Sequence, residues 1–184
     1  MSVIEPIVFT FPDKTTMTVR SASVPDSVPL LELIREILDE KDHFGLLPEE
    51  FQHTDDSFQK LIGITSTAPA DLYLVAEISG KPIGFLEFYV DERRRLAHSG
   101  TFTLFIKKQY RLRGVGTLLL GSLIDWGQAN PAVEKILLTL LSNNAPAVAL
   151  YRKMGFEIEG RRSGAVKMAP EIYLDEILMA RSVK

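Results

Sequence analysis

The sequence predicts an α/β or α+β domain in which a mixed sheet carries helices on both faces. Its 184 residues, 46% of them hydrophobic and 24% charged, suit one domain with a sizeable core. The apolar residues change period along the chain in the order β-α-α-β-β-β-α-β-α-β-β. The predicted strand over 133–143 has an apolar centre, with five apolar residues among the six from 136 to 141, which is typical of a strand covered on both faces.

The first half of the chain predicts one strand and two helices. In residues 16–23, Met17 and Val19 alternate with polar residues, which indicates a strand. Residues 25–44 form a helix by their apolar spacing, and residues 55–65 form a shorter one. The spacing of the longer helix depends on Leu30, Leu31, Ile34 and Leu38.

The second half alternates strands and helices. "SGKP" separates two apolar runs, which predicts a hairpin. The predicted strands are 71–80, 81–92, 98–108, 133–143, 156–162 and 172–183, with helices at 115–130 and 145–155. We expect a single domain over 16–184. Residues 1–15 form an extension in which "IVFTF" could add an edge strand.

Composition excludes several classes of protein. The net charge of −3 argues against an extended nucleic-acid surface. Without cysteine there is no disulfide, thiolate metal site or cysteine nucleophile, and we expect no metal. The N-terminus lacks a signal-peptide pattern, and no apolar run approaches the roughly 20 residues that span a bilayer. We therefore expect a cytoplasmic protein without membrane or nucleic-acid partners.

The stretch "RLRGVG", residues 111–116, joins a predicted strand to a predicted helix. Gly114 and Gly116 permit a tight turn, and the helix that follows offers free N–H groups to an anion. Arg111 and Arg113 add charge that matches phosphate oxygens. The junction is a pyrophosphate cradle or, alternatively, a basic surface turn. It matches neither a Walker loop nor a dinucleotide fingerprint.

Two motifs in this order resemble the GNAT family of N-acetyltransferases. "IKKQYRLRGVGTLLL" is similar to the central GNAT motif, in which Arg111, Gly114 and Gly116 stand at the expected places. "NNAPAVALYRKMGFEIEGR" is similar to a second GNAT stretch through Asn144, Ala147, Leu150, Tyr151, Lys153, Gly155 and Phe156. The resemblance implies a GNAT-type, mostly antiparallel sheet of about seven strands.

The resemblance also implies acetyl-CoA as co-substrate. The family's pantetheine-pairing strand corresponds to Leu104, Phe105 and Ile106. Its pyrophosphate-binding amides correspond to Arg111, Leu112, Arg113, Gly114, Val115, Gly116 and Thr117. Asn144, Tyr151 and Lys153 are the implied contacts from the second motif. Asn144 is also a natural helix cap.

The implied activity is direct acetyl transfer to a primary amine, of a small molecule or of a protein N-terminus. Tyr151 would protonate the leaving thiolate, as in the family, or is simply a core aromatic residue. Ribosomal-protein alanine acetyltransferases carry a glutamate where this chain has Thr139. The alternative is therefore a scaffold that binds acyl-CoA as a sensor without turnover.

A general base must come from another position. Glu87 is the first candidate, because burying a carboxylate in the apolar strand "IGFLEFYV" costs free energy and therefore indicates a specific role. Burial would raise its pKa. His98, at the start of the pantetheine strand, is the second candidate. Each could equally be an ordinary exposed side chain.

The acceptor region of the family falls on an acidic part of this chain. It holds Asp39, Glu40, Asp42, Glu49, Glu50, Asp55 and Asp56, which would suit a cationic amine or polyamine, or simply form a solvated surface. The C-terminal stretch is similar to a branch with ribosomal-protein and polyamine acetyltransferases, through Glu159, Gly160, Tyr173, Asp175 and Met179. The resemblance also implies a possible homodimer, because GNAT enzymes often form dimers.

Overall fold

The computed structural model describes residues 3–184, which form one eight-stranded sheet and four α-helices. The strands are β1 (Ile7–Thr10), β2 (Thr16–Ser21), β3 (Leu72–Ile78), β4 (Lys81–Val90), β5 (Ser99–Ile106), β6 (Lys135–Leu141), β7 (Glu157–Ala169) and β8 (Ile172–Ser182). The helices are α1 (Ser27–Leu38), α2 (Asp55–Thr67), α3 (Val115–Ala129) and α4 (Ala145–Lys153).

The strands lie in the order β1-β2-β3-β4-β5-β6-β8-β7. Every neighbouring pair is antiparallel except β5 and β6. The fold class predicted from the sequence, a mixed and mostly antiparallel sheet with helices on both faces, is confirmed. The strand beyond the predicted seven is β1, an edge strand in which Ile7 lies opposite Val19 of β2.

Each face of the sheet carries its own core. On one face, α1 and α2 bury Leu30, Leu31 and Phe58 against Phe85 of β4 and Phe105 of β5. On the other face, α3 contributes Leu119 and Leu123, and α4 contributes Tyr151. They form a second core with residues of β4 and β5, namely Leu86, Phe88 and Phe102. The helices thus bury both sides of the central strands, as their apolar sequences require.

The predicted helix over 25–44 is too long. The observed helix α1 ends at Leu38, the last residue of its apolar repeat. The chain then forms a turn, in which the Lys41 N–H donates to the Leu38 carbonyl. Lys41 has a φ of 54°. That left-handed conformation cannot continue a helix. Residues 39–54 therefore form a connection that reaches the centre of the molecule.

The strand β7 is much longer than the predicted strand over 156–162. It pairs with β8 from Glu157 to Ala169, and its register shifts at three places. The predicted strand stopped at Arg162, whereas in the structure bulges absorb the extra residues without ending the ladder. The long hairpin of β7 and β8 brings Val166 beside Gly45 of the α1–α2 connection.

Candidate active site

The sheet opens between β5 and β6, its fifth and sixth strands in spatial order. The parallel strands β5 and β6 pair only from Ser99 to Thr101, where Thr101 lies opposite Leu137. Beyond Thr101, β5 stays paired with β4 as far as Ile106, while β6 stays paired with β8. The two strands therefore diverge and leave a gap through the middle of the sheet.

Two cavities meet in this gap. The larger, about 560 Å³, runs from the gap to the N-terminus of α3, and we call it the cofactor groove. The smaller, about 250 Å³, lies between β5, β6 and the start of β8, and we call it the acceptor cavity. Five residues line both cavities and form what we call the seam: His43, Phe44, Leu104, Asn144 and Tyr151. The seam is where two bound molecules would touch.

The glycine junction forms one end of the cofactor groove. Leu112 and Gly114 both have left-handed backbone conformations, with φ of 60° and 92°. The first helical bond of α3 runs from the Leu118 N–H to the Gly114 carbonyl. The N–H groups of Val115 to Thr117 precede it, and such groups have no partner within a helix. Together with the helix dipole, they favour an anion at this end of the groove.

The two glycines serve different purposes. A side chain on Gly114 would meet nothing within 4 Å, so only its φ of 92° demands glycine. A Cβ on Gly116 would lie 2.9 Å from Leu150 and 3.1 Å from Ile106. Gly116 therefore allows α3 to pack closely on α4 and β5. Gly114 shapes the turn that faces the groove.

The arginines of the junction are already paired. The Arg111 guanidinium donates to both carboxylate oxygens of Glu40, at 2.7 and 2.8 Å, and its Nε donates to the Ile106 carbonyl. Arg113 pairs with Asp13 at 2.7 Å and lies over the ring of Phe11. Both arginines, which were expected to bind phosphate, are thus paired with carboxylates, and the groups that this junction offers to an anion are backbone N–H groups.

Backbone groups of β5 face the gap. The Lys107 N–H donates to the Ile83 carbonyl on the β4 side. Because these groups alternate along a strand, those of Ile106 and Leu104 point the other way, toward the groove. The backbone N–H and carbonyl of Phe105 point toward β4, and its ring stacks between the rings of Phe44 and Phe85. The backbone of Leu104 and the N–H of Ile106 can therefore pair with an extended ligand, whereas Phe105 cannot; the Ile106 carbonyl already accepts from Arg111.

The helix α4 forms the opposite wall. Asn144 caps it, accepting from the Ala147 N–H at 3.2 Å, and also lies in the seam. Tyr151 is buried and packs edge-on against Phe102 and Phe156. Burial raises the pKa of the Tyr151 phenol well above its usual range, so it stays protonated. Lys153 lies exposed at the mouth of the groove.

Of the thirteen predicted cofactor-binding residues, ten line the cofactor groove and three do not. The cofactor groove is lined by Leu104, Ile106, Arg111, Leu112, Gly114, Gly116, Thr117, Asn144, Tyr151 and Lys153. It is not lined by Phe105, Arg113 or Val115. Val115 is fully buried in the core beneath the junction.

Hydroxyl groups dominate the polar lining of the acceptor cavity. Thr101 and Thr103 of β5 face Thr139 of β6, and Glu176 of β8 completes the rim. Glu176 pairs with Arg162 at 2.8 Å. Among residues 3–184, no lysine or arginine lines this cavity, and Thr139 offers no carboxylate. A positively charged ligand thus meets no opposing cation on the cavity wall.

Glu87 lies next to the acceptor cavity rather than in its wall. It is half-buried opposite Thr103 on the neighbouring strand. Burial raises the pKa of its carboxyl, and a hydrogen bond from the Thr103 side chain partly offsets the effect. Burial raises the pKa values of Tyr73 and Tyr89, and the negative charge of the nearby Glu87 raises them further. Glu87 can reach the cavity only through Thr103 or a water.

Other predicted residues lie elsewhere. His98 is exposed before the start of β5, at the end remote from the glycine junction, and lines neither cavity. None of the acidic residues of 39–56 lines either cavity. Glu40 is bound to Arg111, and Asp56 is bound to Lys60. The geometry therefore gives them no contact with an acceptor.

Sequence reasoning missed the tip of the α1–α2 connection. His43 and Phe44 line both cavities, and Gly45 lines the acceptor cavity. The predicted helix over 25–44 concealed them, because it assigned His43 and Phe44 to a helix surface. The signal that could have exposed them is the aromatic pair directly before a glycine, at the point where the apolar repeat stops.

Comparison with known proteins identifies the family. Residues 31–156 match the family model described as "Acetyltransferase (GNAT) family". The chain belongs to the GNAT acetyltransferase family. It is an N-acetyltransferase whose co-substrate is acetyl-CoA.

Two curated relatives illustrate the range of the family. The L-amino acid N-acetyltransferase AaaT of Escherichia coli (strain K12) is 35% identical over 113 residues, which cover 61% of this chain and 69% of that protein. The spermidine N(1)-acetyltransferase of Escherichia coli (strain K12) is 27% identical over 112 residues, covering 61% and 57% respectively. The chain thus spans less than two thirds of the second relative.

Solved structures agree on the fold. A GNAT-family acetyltransferase from Streptococcus pneumoniae superposes with a TM-score of 0.87 at 28% identity, covering 91% of this chain and 99% of its own. A phosphinothricin acetyltransferase from Sinorhizobium meliloti, in complex with acetyl-CoA, gives a TM-score of 0.79 at 20% identity, covering 90% and 88%. Within residues 3–184 of this chain, no helix is long and apolar enough to cross a bilayer.

The groove fits acetyl-CoA. Free N–H groups at the start of α3 suit a pyrophosphate, and the backbone of Leu104 and the N–H of Ile106 suit an extended amide chain. The open side of Gly114 leaves room for a ligand against the turn. Lys153 at the mouth offers a positive charge to a further phosphate.

Proposed function

We propose that this enzyme moves the acetyl group of acetyl-CoA to a primary amine by direct attack, with both substrates bound together. The observation that carries the proposal is the seam, because the cofactor groove and the acceptor cavity share five lining residues. Bound acetyl-CoA supplies an acetyl thioester that an amine can attack. A cavity next to the thioester allows the amine to reach it without a covalent enzyme intermediate.

We propose Tyr151 as the acid of the reaction. Its hydroxyl belongs to the only phenol of the seam, and its raised pKa keeps the proton in place until a thiolate develops beside it. The leaving sulfur then takes the phenolic proton. The neighbouring Asn144 side chain is engaged in capping α4, which fixes the first turn of the helix that carries Tyr151.

Glu87 stays our proposal for a carboxylate that influences the acceptor amine. Its hydrogen bond with Thr103 connects it to the wall of the acceptor cavity, so its effect passes through Thr103 or a water. His98 has no contact with either cavity, and we assign it no role in the proposed reaction.

The acceptor that fits this cavity is a small molecule with a primary amine, or a slender protein N-terminus. The volume of about 250 Å³ admits a short chain, and the threonines of the wall can bind a polar group. The wall contains a carboxylate, Glu176, and no lysine or arginine, so it favours an amine without a carboxylate close to the reacting nitrogen.

Calorimetry and an amine panel test the proposal. We expect acetyl-CoA to bind more tightly than ATP or NAD, and Gly114→Val to weaken it at least tenfold, because valine is strained at a φ of 92° and enters the groove. Gly121→Ala, which meets nothing within 4 Å, is the control. Acetylation of polyamines, amino-acid amides and short peptides is then measured. If no amine is acetylated, the proposed transfer is wrong.

Two further predictions concern the whole protein. We propose that the protein forms a homodimer, because members of the family often pair. We also propose a cytoplasmic location, which agrees with the lack of cysteine in the sequence. Light scattering after size-exclusion chromatography and cell fractionation test them. A monomer at micromolar concentration would contradict the first prediction.

A further inference from the structure

An unpartnered histidine lies at the seam. His43 lines both the cofactor groove and the acceptor cavity. Its Nδ1 atom is buried and, among residues 3–184, has no hydrogen-bond partner. A buried polar atom without a partner costs free energy, which is recovered when a ligand supplies the partner. The two cavities are the places from which that ligand can come.

The connection that carries His43 is held on both sides of it. The Asn143 side chain donates to the Asp42 carbonyl at 3.1 Å, which ties the connection to the turn before α4. On the other side, the Phe44 ring stacks on Phe105 with 5.0 Å between centroids. Fixed neighbours on both sides hold the imidazole in place, as a proton-transferring group requires.

The other residues of the seam cannot accept a proton. Phe44 and Leu104 are apolar, and the Asn144 side chain does not titrate. Tyr151 keeps its proton, because burial raises its pKa. An imidazole gains and loses a proton near neutral pH. His43 is thus the residue of the seam with the chemistry of a base.

We infer that His43 is a catalytic residue that takes the proton from the acceptor amine, an inference that rests on the proposed function. The new C–N bond forms as the thioester C–S bond breaks. The amine proton passes to the His43 imidazole, and Tyr151 gives its phenolic proton to the sulfur. The imidazolium then returns its proton to the Tyr151 oxygen, directly or through one water. The net change moves one proton from nitrogen to sulfur.

Four other titratable or charged groups line the two cavities together with His43: Tyr151, Lys153, Arg111 and Glu176. Arg111 is bound to Glu40, so it holds a fixed charge next to the groove. Since only an unprotonated imidazole can accept a proton, the proposed transfer requires a neutral His43 side chain.

The test compares two conservative variants with a matched control. His43→Gln and His43→Asn keep a polar side chain of similar shape but remove the titrating nitrogen. We expect kcat to fall about 100-fold in both, with the acidic limb of the kcat profile lost and the KM for acetyl-CoA within threefold. His53→Gln, in the same connection but outside both cavities, should keep the wild-type profile.

A footprint gives a second readout that does not depend on turnover. Diethyl pyrocarbonate modifies unprotonated imidazoles, and the chain has three histidines. Acetyl-CoA should slow the modification of His43 by at least fivefold while leaving His53 and His98 unchanged, as read by peptide mass spectrometry.

The outcomes separate the two ideas. An unchanged acidic limb in His43→Gln, or no protection of His43 by acetyl-CoA, overturns the role of His43 while leaving the proposed amine transfer intact. A wild-type enzyme that acetylates no amine overturns the proposed transfer and the role of His43 with it.

Discussion

The two edges of β5 behave differently. On one edge, β5 pairs with β4 over seven consecutive residues, from Gly84 opposite Ile106 to Val90 opposite Gly100. On the other edge, it pairs with β6 over three residues and then leaves it. The first edge is a completed antiparallel ladder within the core. The second is an unfinished parallel ladder, and the cofactor groove and acceptor cavity open where it stops.

The difference separates stability from function within one strand. Along the paired edge, side chains are packed so closely that a Cβ on Gly100 would lie 2.3 Å from the Phe88 ring. Along the open edge lie groups that have no hydrogen-bond partner among residues 3–184, including the backbone of Leu104 and the Nδ1 atom of His43. Changes at the paired edge should therefore affect folding, and changes at the open edge should affect catalysis.

The largest effect is expected at the paired edge. Gly100→Ala would force the Phe88 ring and the Tyr89 carbonyl, 2.7 Å from the new Cβ, to move. We expect it to lower the free energy of unfolding by about 3 kcal/mol, measured by urea denaturation. Gly121→Ala on α3 has open space and should leave stability equal or higher. If Gly100→Ala is as stable as wild type, the paired edge is not closely packed.

Tyr151→Phe tests the open edge with the packing kept. The ring still contacts Phe102 and Phe156, so the free energy of unfolding should change little. Loss of the hydroxyl should reduce kcat about 100-fold with little change in the KM for acetyl-CoA. The raised pKa of Tyr151 further predicts that wild-type activity continues above about pH 9. Steady-state kinetics with unchanged kcat in Tyr151→Phe would remove this residue from the mechanism.

A smaller effect is expected from the ion pair that joins the glycine junction to the turn after α1. Arg111→Gln and Glu40→Gln should each cost about 1 kcal/mol of stability, since the pair is only partly shielded from water. Both should weaken acetyl-CoA binding by a similar few-fold factor in calorimetry. Lys60→Gln, which breaks an exposed pair with Asp56, is the control. If Glu40→Gln instead tightens binding, Arg111 contacts phosphate when it is released.

The smallest effect concerns the pH dependence of stability through Glu87. Because burial raises the pKa of this carboxyl, the native state holds its proton more tightly than the unfolded chain. The contribution of Glu87 to stability is present below the unfolded value of about 4.3 and is lost as the pH rises through the native value. The stability of Glu87→Gln relative to wild type should increase from pH 4 to pH 8 in urea titrations. Glu157→Gln, exposed on β7, should show no such trend.

Much of the fold could be predicted because it is locally encoded. The apolar period located α3 and β6, and Asn144 marked the start of α4 through its capping chemistry. Where tertiary contacts overrode local signals, the predictions were wrong. The helix α1 stops at Leu38, and β7 continues through its bulges past Gly160.

The candidate site divides in the same way. The backbone turn at Gly114 and the position of Tyr151 were found from short motifs, because each depends on residues close together in the chain. The charges at the junction were not predictable, since Arg111 is paired with Glu40, which lies 71 residues earlier in the turn after α1. Such pairing depends on which helix packs beside the junction.

The sequence by itself determined the family, most of the elements and the glycine turn before α3, because local period, glycine placement and capping act within a few residues. Only the tertiary structure decided where β5 leaves β6, which charges are neutralised, and which side chains meet in the gap. His43 reaches the seam through contacts with Asn143 and Phe105, far away in the chain. Those contacts form when the sheet assembles, and no local pattern specifies them.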